Sequence, residues 1–278
     1  MTLREALAFG KELLKQAGIE EYETDAWLLL EASCGCTRND YYLRGDSSLT
    51  KEQELLWKQY MEKRGERIPV QQILGVQEFM GLSFNVTGDV LCPRQDTETL
   101  VEEALKELNP KERILDLCTG SGCILISLLT YGKECSGVGA DLSLKALEVA
   151  KENARKLGVE CHLIHSDLFE QIEGEFDMIV SNPPYIATKE IETLMPEVRD
   201  REPRMALDGK EDGLFFYRKI VGQARRYLKP GGRLLFEIGY DQGEAVAGMM
   251  AEAGFMEVQV KKDLAGLDRV VKGKLKEE

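Results

Sequence analysis

Over the first 66 residues apolar positions recur at three- and four-residue intervals with charges between them, the spacing of helices that bury one face. The first helix opens with Thr2 as N-cap and Glu5 three residues later, a capping-box pattern, and carries Leu3, Ala6, Leu7, Leu13 and Leu14 mostly on one side. A second is predicted from about Thr24 through Trp27, Leu28, Leu29 and Leu30, and a third from near Thr50, with Leu55, Leu56 and Trp57 facing inward. Between Pro69 and Pro93 the texture changes. QQILGVQEFM and LSFNVTG are punctuated by Gly75, Gly81 and Gly88, which predicts a β-hairpin linker. From Asp96 onward short apolar runs alternate with polar, helix-period stretches such as Ser143 to Leu157. The runs are ILDLC (114–118), GVGAD (137–141), CHLIH (161–165), DMIVS (177–181) and RLLFEI (233–238). That alternation predicts βαβ units, hence an α/β fold with a parallel sheet covered by helices on both faces. The chain divides as a helical domain at 1–66, a hairpin linker at 67–93 and an α/β domain at 94–278, ending in a charged, frayed KGKLKEE.

Composition narrows the function classes. A length of 278 residues suits two domains, or one domain with an appendage, and 43% apolar residues supply a proper core. The net charge of −13 argues against a general phosphate-backbone binder and leaves room only for a local basic patch. The N-terminal stretch is charged throughout and has no apolar signal core, and apolar runs such as Trp27 to Leu30 are too short to span a bilayer. No membrane association is expected. Seven scattered cysteines, an odd number, fit a reduced cytoplasmic protein whose thiols act as small buried hydrophobes. Cys34-Gly35-Cys36 has no second Cys pair and no spaced His pair to complete a metal site. His162 and His165 both fall in a strand, so no metal is expected.

The strand ILDL runs straight into Cys118-Thr119-Gly120-Ser121-Gly122 and then into an apolar helix. A glycine-rich turn at that junction lets backbone approach a ligand at a helix N-terminus. About twenty residues on, the next strand ends in Asp141, suited to ribose hydroxyls. The pattern serves NAD and S-adenosylmethionine alike, although G-x-G-x-x-G is not matched. A third strand ends at Ser166-Asp167-Leu168, where an adenine edge would lie. The fourth ends in Ser181-Asn182-Pro183-Pro184-Tyr185, and its two prolines fix the backbone and remove two donors. One reading is a rigid strand exit. The other is a clamp for a planar –NH2 group, with the Asn182 side-chain oxygen and the Pro183 carbonyl accepting its two N–H bonds and the Tyr185 ring on its face.

The glycine-rich turn, the acidic second strand and NPPY together resemble class I S-adenosylmethionine-dependent methyltransferases that modify amino or amide nitrogens. NPPY is shared by adenine, cytosine and glutamine N-methyltransferases. Three further stretches choose among them: LCPRQDTETLVE (91–102) is similar to a PR-x-[DE]-TE signature, EPRMALDGKEDGLFFYR (202–218) to an EP…ALDGG…DGL…YR signature, and RIPVQQILGVQEFMGLSFNV (67–86) to a joining hairpin. All three resemble the release factor glutamine methyltransferase family (PrmC/HemK), over nearly the whole chain. Departures are Cys118 for the usual first Gly of the turn, Gln95 where Pro is common, Lys210 for the second Gly of ALDGG, and Leu168 where Trp is frequent.

The resemblance implies a seven-stranded Rossmann-like methyltransferase domain behind the small helical domain, which would grip a protein substrate. It implies methyl transfer from S-adenosylmethionine, leaving S-adenosylhomocysteine, to the side-chain amide nitrogen of the glutamine in the Gly-Gly-Gln motif of peptide chain release factors. The alternative is an N6-adenine nucleic-acid methyltransferase, which would leave the PR-x-DTE and ALDG stretches unexplained. Catalysis would rest on Asn182, Pro183, Pro184 and Tyr185. The cofactor would lie against Cys118, Thr119, Gly120, Ser121, Gly122, Asp141, Asp167, Leu168 and Asn182. Arg94, Asp96 and Glu98 would stand near the mouth, or merely start a helix capped by Asp96 or Thr97, and Glu202, Pro203 and Arg204 would shape the substrate loop. No general base with a tuned pKa is evident beside NPPY, so catalysis by positioning is expected. Direct nucleic-acid binding is not expected.

Overall fold

The computed structural model describes residues 1–276, in two compact units: residues 1–76 with 195–201, and residues 77–194 with 202–278, of which the last two lie outside the description. The first unit is helical: α1 (Leu3–Gln16), α2 (Tyr22–Cys34), α3 (Arg38–Arg44), α4 (Lys51–Gly65) and α5 (Val70–Leu74). Reciprocal capping boxes start three of them, Thr2 with Glu5, Thr37 with Asp40 and Thr50 with Gln53, so donors at each helix start are answered locally. Leu14, Ala26, Leu29, Leu30, Trp57 and Met61 form the core of this unit. Two expectations need correcting, and one further helix joins those named. Leu55 faces solvent at 60% exposure while Trp57 is buried. QQIL belongs to α5 and not to a hairpin. Residues 38–44 form a helix although none of its side chains is buried.

The second unit begins with the hairpin, β1 (Val76–Phe79) and β2 (Leu82–Asn85), followed by α6 (Gln95–Glu107). Its sheet contains β3 (Arg113–Leu117), β4 (Ser136–Asp141), β5 (His162–His165), β6 (Phe176–Ser181), β7 (Leu228–Glu237), β8 (Met256–Lys262) and β9 (Asp268–Lys274), ordered β5-β4-β3-β6-β7-β9-β8. β3 to β7 are mutually parallel, and β9 runs antiparallel to both β7 and β8. α7 (Cys123–Tyr131) and α8 (Leu144–Leu157) follow β3 and β4, and helices Phe215–Ala224 and Gly243–Glu252 flank β7. Two apolar cores result, one holding α6 and α7 residues with Ile114 and Val180, the other holding Leu115, Ile179, Tyr217 and Phe236. The frayed C-terminus is a correction: KGK lies in β9 and Leu275 is buried, while Glu277 and Glu278 fall outside the described residues.

This order places the site. From β3 the chain moves outward through β4 to β5, then returns to the other side of β3 at β6. Adjacent strands therefore send their following loops apart, and a crevice opens beyond the carboxyl ends of β3 and β6. Those ends carry Cys118–Gly122 and Asn182–Tyr185.

Candidate active site

The turn after β3 has the backbone its glycines require. Gly120 and Gly122 have φ of +56° and +80°, and a Cβ on Gly122 would lie 2.9 Å from Ile126 Cδ1. Cys118, at φ +60°, takes the same left-handed region with a side chain, as do Leu168 at +50° and Lys210 at +72°. All three stand where the resemblance marks a departure, two of them in place of glycine, and each stores local strain. Asp116 lies fully buried beneath the turn. Its Oδ2 accepts the Thr119 hydroxyl at 2.6 Å, its Oδ1 has no partner among the described residues, and burial pushes its pKa up to about 7.

At the end of β4, Asp141 accepts one backbone N–H on each oxygen, from Gly120 and from Ser143, both at 2.8 Å. Burial raises its pKa, and these N–H groups partly hold it down. An ionised carboxylate has further lone pairs, so Asp141 retains acceptor capacity. The crevice encloses a cavity of about 120 Å³ that opens to solvent. Cys118, Thr119, Gly120, Ser121, Asp141, Asp167, Leu168, Asn182 and Pro184 line it, with Val90, Leu142 and Phe216 adding apolar wall. A cradle of backbone, an acceptor at the second strand and apolar surface beyond it fit an adenosine-type group. Gly122 caps α7 just behind the wall.

The NPPY segment is pinned from outside. Ile186 pairs with Asp208, Gly209 donates to the Ile186 carbonyl at 2.8 Å, and Gln242 Nε2 donates to the Tyr185 carbonyl at 2.9 Å. A Cβ on Gly209 would sit 2.8 Å from the Tyr185 backbone, which is a packing reason for the glycine of ALDG. Pro183 and Tyr185 are not among the described cleft-lining residues. Tyr185 points its hydroxyl inward, donating to Glu237 Oε1 at 3.3 Å. Burial, and then the Glu237 charge, push its phenol pKa well above the ordinary tyrosine range.

Glu237, the last residue of β7, is the feature that sequence reasoning missed. It is 2% exposed, its Oε2 lacks a well-placed hydrogen-bond partner, and burial raises its pKa to about 7 against the Thr97 hydroxyl, the Arg269 charge and the Tyr185 hydroxyl. A carboxyl tuned to neutrality therefore does stand beside NPPY. The signal was an acid inside an otherwise apolar run, RLLFEI. The start of α6 is also corrected: the N-cap is Arg94, without a side-chain cap, and Asp96 and Thr97 lie inside the first turn. Arg94 reaches the cleft and holds both oxygens of Glu202, at 2.8 and 2.7 Å. Burial still raises the Glu202 pKa over the pull of Arg94. Glu98 is turned away from the mouth and accepts the Met80 N–H at 2.6 Å, while Asp96 pairs with Arg269 at 3.2 Å. Pro203 lines the cleft; Arg204 pairs with Glu192 at 3.2 Å. Among the described residues no group of three or more His, Cys, Asp or Glu could hold a metal.

Residues 5–75 match the family described as PrmC N-terminal domain, and residues 95–198 that described as methyltransferase small domain. The chain is 42% identical over 275 residues to the release factor glutamine methyltransferase of Geobacter sulfurreducens, covering 99% of this chain and 97% of that one. To the protein of the same name from Caulobacter vibrioides it is 43% identical over 279 residues, covering 98% and 96%. The solved T. thermophilus 16S rRNA N2 G1207 methyltransferase, in complex with AdoMet and guanosine, has a TM-score of 0.52 at 18% identity over 72% of this chain and 50% of that one, a likeness of fold.

Proposed function

The chain belongs to the release factor glutamine methyltransferase family, and on that footing we propose that it methylates the side-chain amide nitrogen of the Gly-Gly-Gln glutamine in peptide chain release factors. The methyl donor is S-adenosylmethionine, which supplies a methyl group carried on a positively charged sulfur when bound. The observation that carries the reading is the placement of Asn182 on the wall of the same crevice as the Cys118–Ser121 turn and Asp141, at the topological switch between β3 and β6. The N6-adenine alternative is not favoured, since the full-length relatives bear the glutamine activity in their names.

This geometry supports the following residue roles. The backbone of Cys118 to Gly122 cradles the polar end of the cofactor, Asp141 accepts from ribose hydroxyls, and Asp167 and Leu168 flank the adenine. Asn182 Oδ1 and the Pro183 carbonyl accept the two N–H bonds of the glutamine amide, whose lone pair is otherwise delocalised into its carbonyl. Acceptors fixed on both N–H groups favour charge on that nitrogen as it attacks. Pro184 keeps the strand exit rigid, and Tyr185, tethered through its hydroxyl, holds the segment in register. The helical unit supplies the recognition surface that a three-residue motif cannot, and it exposes Tyr42 at 70% and Leu43 at 81% for that purpose. A release-factor substrate also supports a cytoplasmic location.

The test is mass spectrometry of a purified release factor after incubation with the protein and S-adenosylmethionine. One methyl on the Gly-Gly-Gln glutamine is expected. An unmodified glutamine, with cofactor binding verified by calorimetry, would overturn the substrate.

A further inference from the structure

A carboxamide can serve the clamp in only one of its two orientations. Oδ1 toward the substrate amide accepts its N–H; Nδ2 in that place sets donor against donor. The two ends are nearly the same size, so the neighbouring hydrogen bonds decide between them. At Asn182 the neighbour is Thr97, whose Oγ1 lies 3.4 Å from Nδ2. A threonine hydroxyl has one hydrogen, and it accepts from Asn182 reliably only when that hydrogen is engaged elsewhere. Thr97 is 3% exposed, so a protein acceptor rather than bulk solvent is at hand. The Glu237 carboxyl is that acceptor: the Thr97 hydroxyl is near enough to help hold its pKa down, and its buried Oε2 has no other hydrogen-bond partner among the described residues. Glu237 is in turn held in place by the Tyr185 hydroxyl and by the Arg269 charge, with the Tyr217 hydroxyl donating to its backbone carbonyl at 2.9 Å.

We propose that Thr97 and Glu237 are positioning residues: the Thr97 hydroxyl donates to Glu237 and so accepts from Asn182 Nδ2, which fixes Asn182 with Oδ1 toward the substrate. This deepens the function proposed above and rests on Asn182 being the amide acceptor. Thr97 lines the crevice and Glu237 lies behind it, and in this role both act through Asn182. The relay draws on three separate elements, α6, β7 and the exit of β6, so it exists only once the sheet has assembled.

Two substitutions at Thr97 separate direction from packing. Valine has the shape of threonine without the hydroxyl, whereas serine keeps the hydroxyl and leaves a methyl-sized gap. If Thr97 merely fills space, Thr97→Ser is the worse variant; if it orients Asn182, Thr97→Val is. Steady-state methylation of a release factor at pH 8, where the Glu237 carboxylate is mostly ionised, is expected to show kcat lowered on the order of ten- to a hundredfold in Thr97→Val. Thr97→Ser should retain most of kcat, and both should bind S-adenosylmethionine like wild type by calorimetry. A Thr97→Val enzyme as fast as wild type, or slower serine than valine, overturns the relay while leaving the function intact. A wild-type enzyme that binds the cofactor and leaves the release factor unmodified overturns the function and the relay with it. Should Thr97→Val fail to fold, Glu237→Leu provides the second arm. It leaves the Thr97 hydroxyl no carboxyl to donate to, so kcat should fall with cofactor binding retained, and an unchanged kcat overturns the proposal.

Discussion

The two units bury carboxylates in opposite ways. In the helical unit Arg64, 5% exposed, donates to Asp25 at 2.7 Å and to Glu197 at 2.9 Å, and Arg67 adds a second donor to Glu197 at 3.0 Å. Burial pushes the Glu197 carboxyl up, yet the two arginines outweigh it and leave its pKa below the ordinary range. In the α/β unit Asp116 and Glu237 each leave one oxygen unanswered and titrate near 7, both beside the crevice. The contrast extends to helix starts. α1, α3 and α4 carry full capping boxes, while α6, at the crevice lip, has none, because its N-cap residue Arg94 has no side-chain acceptor and instead donates to Glu202. Arg64 answers both carboxylates of the helical scaffold, although burial still raises Asp25, whereas the two carboxyls beside the crevice are each left with an oxygen unanswered.

The contrast is most sharply tested at Arg64. Removing one partner of a buried ion pair leaves charge stranded, so Arg64→Leu should destabilise the protein by about 3–5 kcal/mol in urea titrations at pH 8. The loss should shrink as pH falls and the stranded Asp25, whose carboxyl burial already pushes up, takes up a proton. A loss under about 1 kcal/mol would mean that the network is replaceable surface charge. On the other side of the comparison, Asn182→Ala removes a polar group that the scaffold does not need. It should lower kcat by on the order of a hundredfold, equivalent to ~2.7 kcal/mol of barrier, with the denaturation midpoint nearly unchanged. A large loss of stability with the rate preserved would reverse the assignment.

Asp116 gives a subtler effect. Its folded pKa, about 7, lies above the ordinary 3.8, so between those values the native state holds a proton that the unfolded chain has released. Stability from this group is present below pH 4 and lost as pH rises through 7, with a slope of at most about 1.4 kcal/mol per pH unit. Glu197 and other carboxyls with lowered pKa change stability in the opposite sense and largely below pH 5, which leaves pH 5–8 to the raised groups. Asp116→Asn should therefore flatten the decline in unfolding free energy across that window, and parallel wild-type and variant curves would reject the assignment.

What the sequence revealed followed from how far apart the parts lie. DLCTGSG and NPPY are contiguous, and each declares its chemistry within a few residues; the alternation of β3 to β7 with helices fixes the crevice between them. The Arg64 network spans 133 residues, from α4 to a segment following NPPY, and no local pattern signals it. Thr97 and Glu237 are likewise joined only by the topology of the sheet. β8 escaped because most of its positions face solvent and leave no apolar alternation to read. α3 escaped for the same reason, although its Thr37–Asp40 box was there to be found.

The smallest effect isolates the lip itself. Gln95 is the first residue of α6 and is exposed, and the residue before it, Arg94, is already extended at φ −102° and ψ 148°. Those are the conditions proline needs: a first-turn position whose N–H has no partner within the helix, and a preceding residue outside the helical region. Gln95→Pro removes freedom from the unfolded chain without disturbing the fold, so it should stabilise by about 0.4–1 kcal/mol, read as a higher urea midpoint at unchanged slope. Because Gln95 is not among the residues lining the crevice, kcat should not move. A drop in kcat with stability gained would show that the missing cap at α6 is functional slack, which the Arg94–Glu202 pair needs in order to adjust as substrate enters.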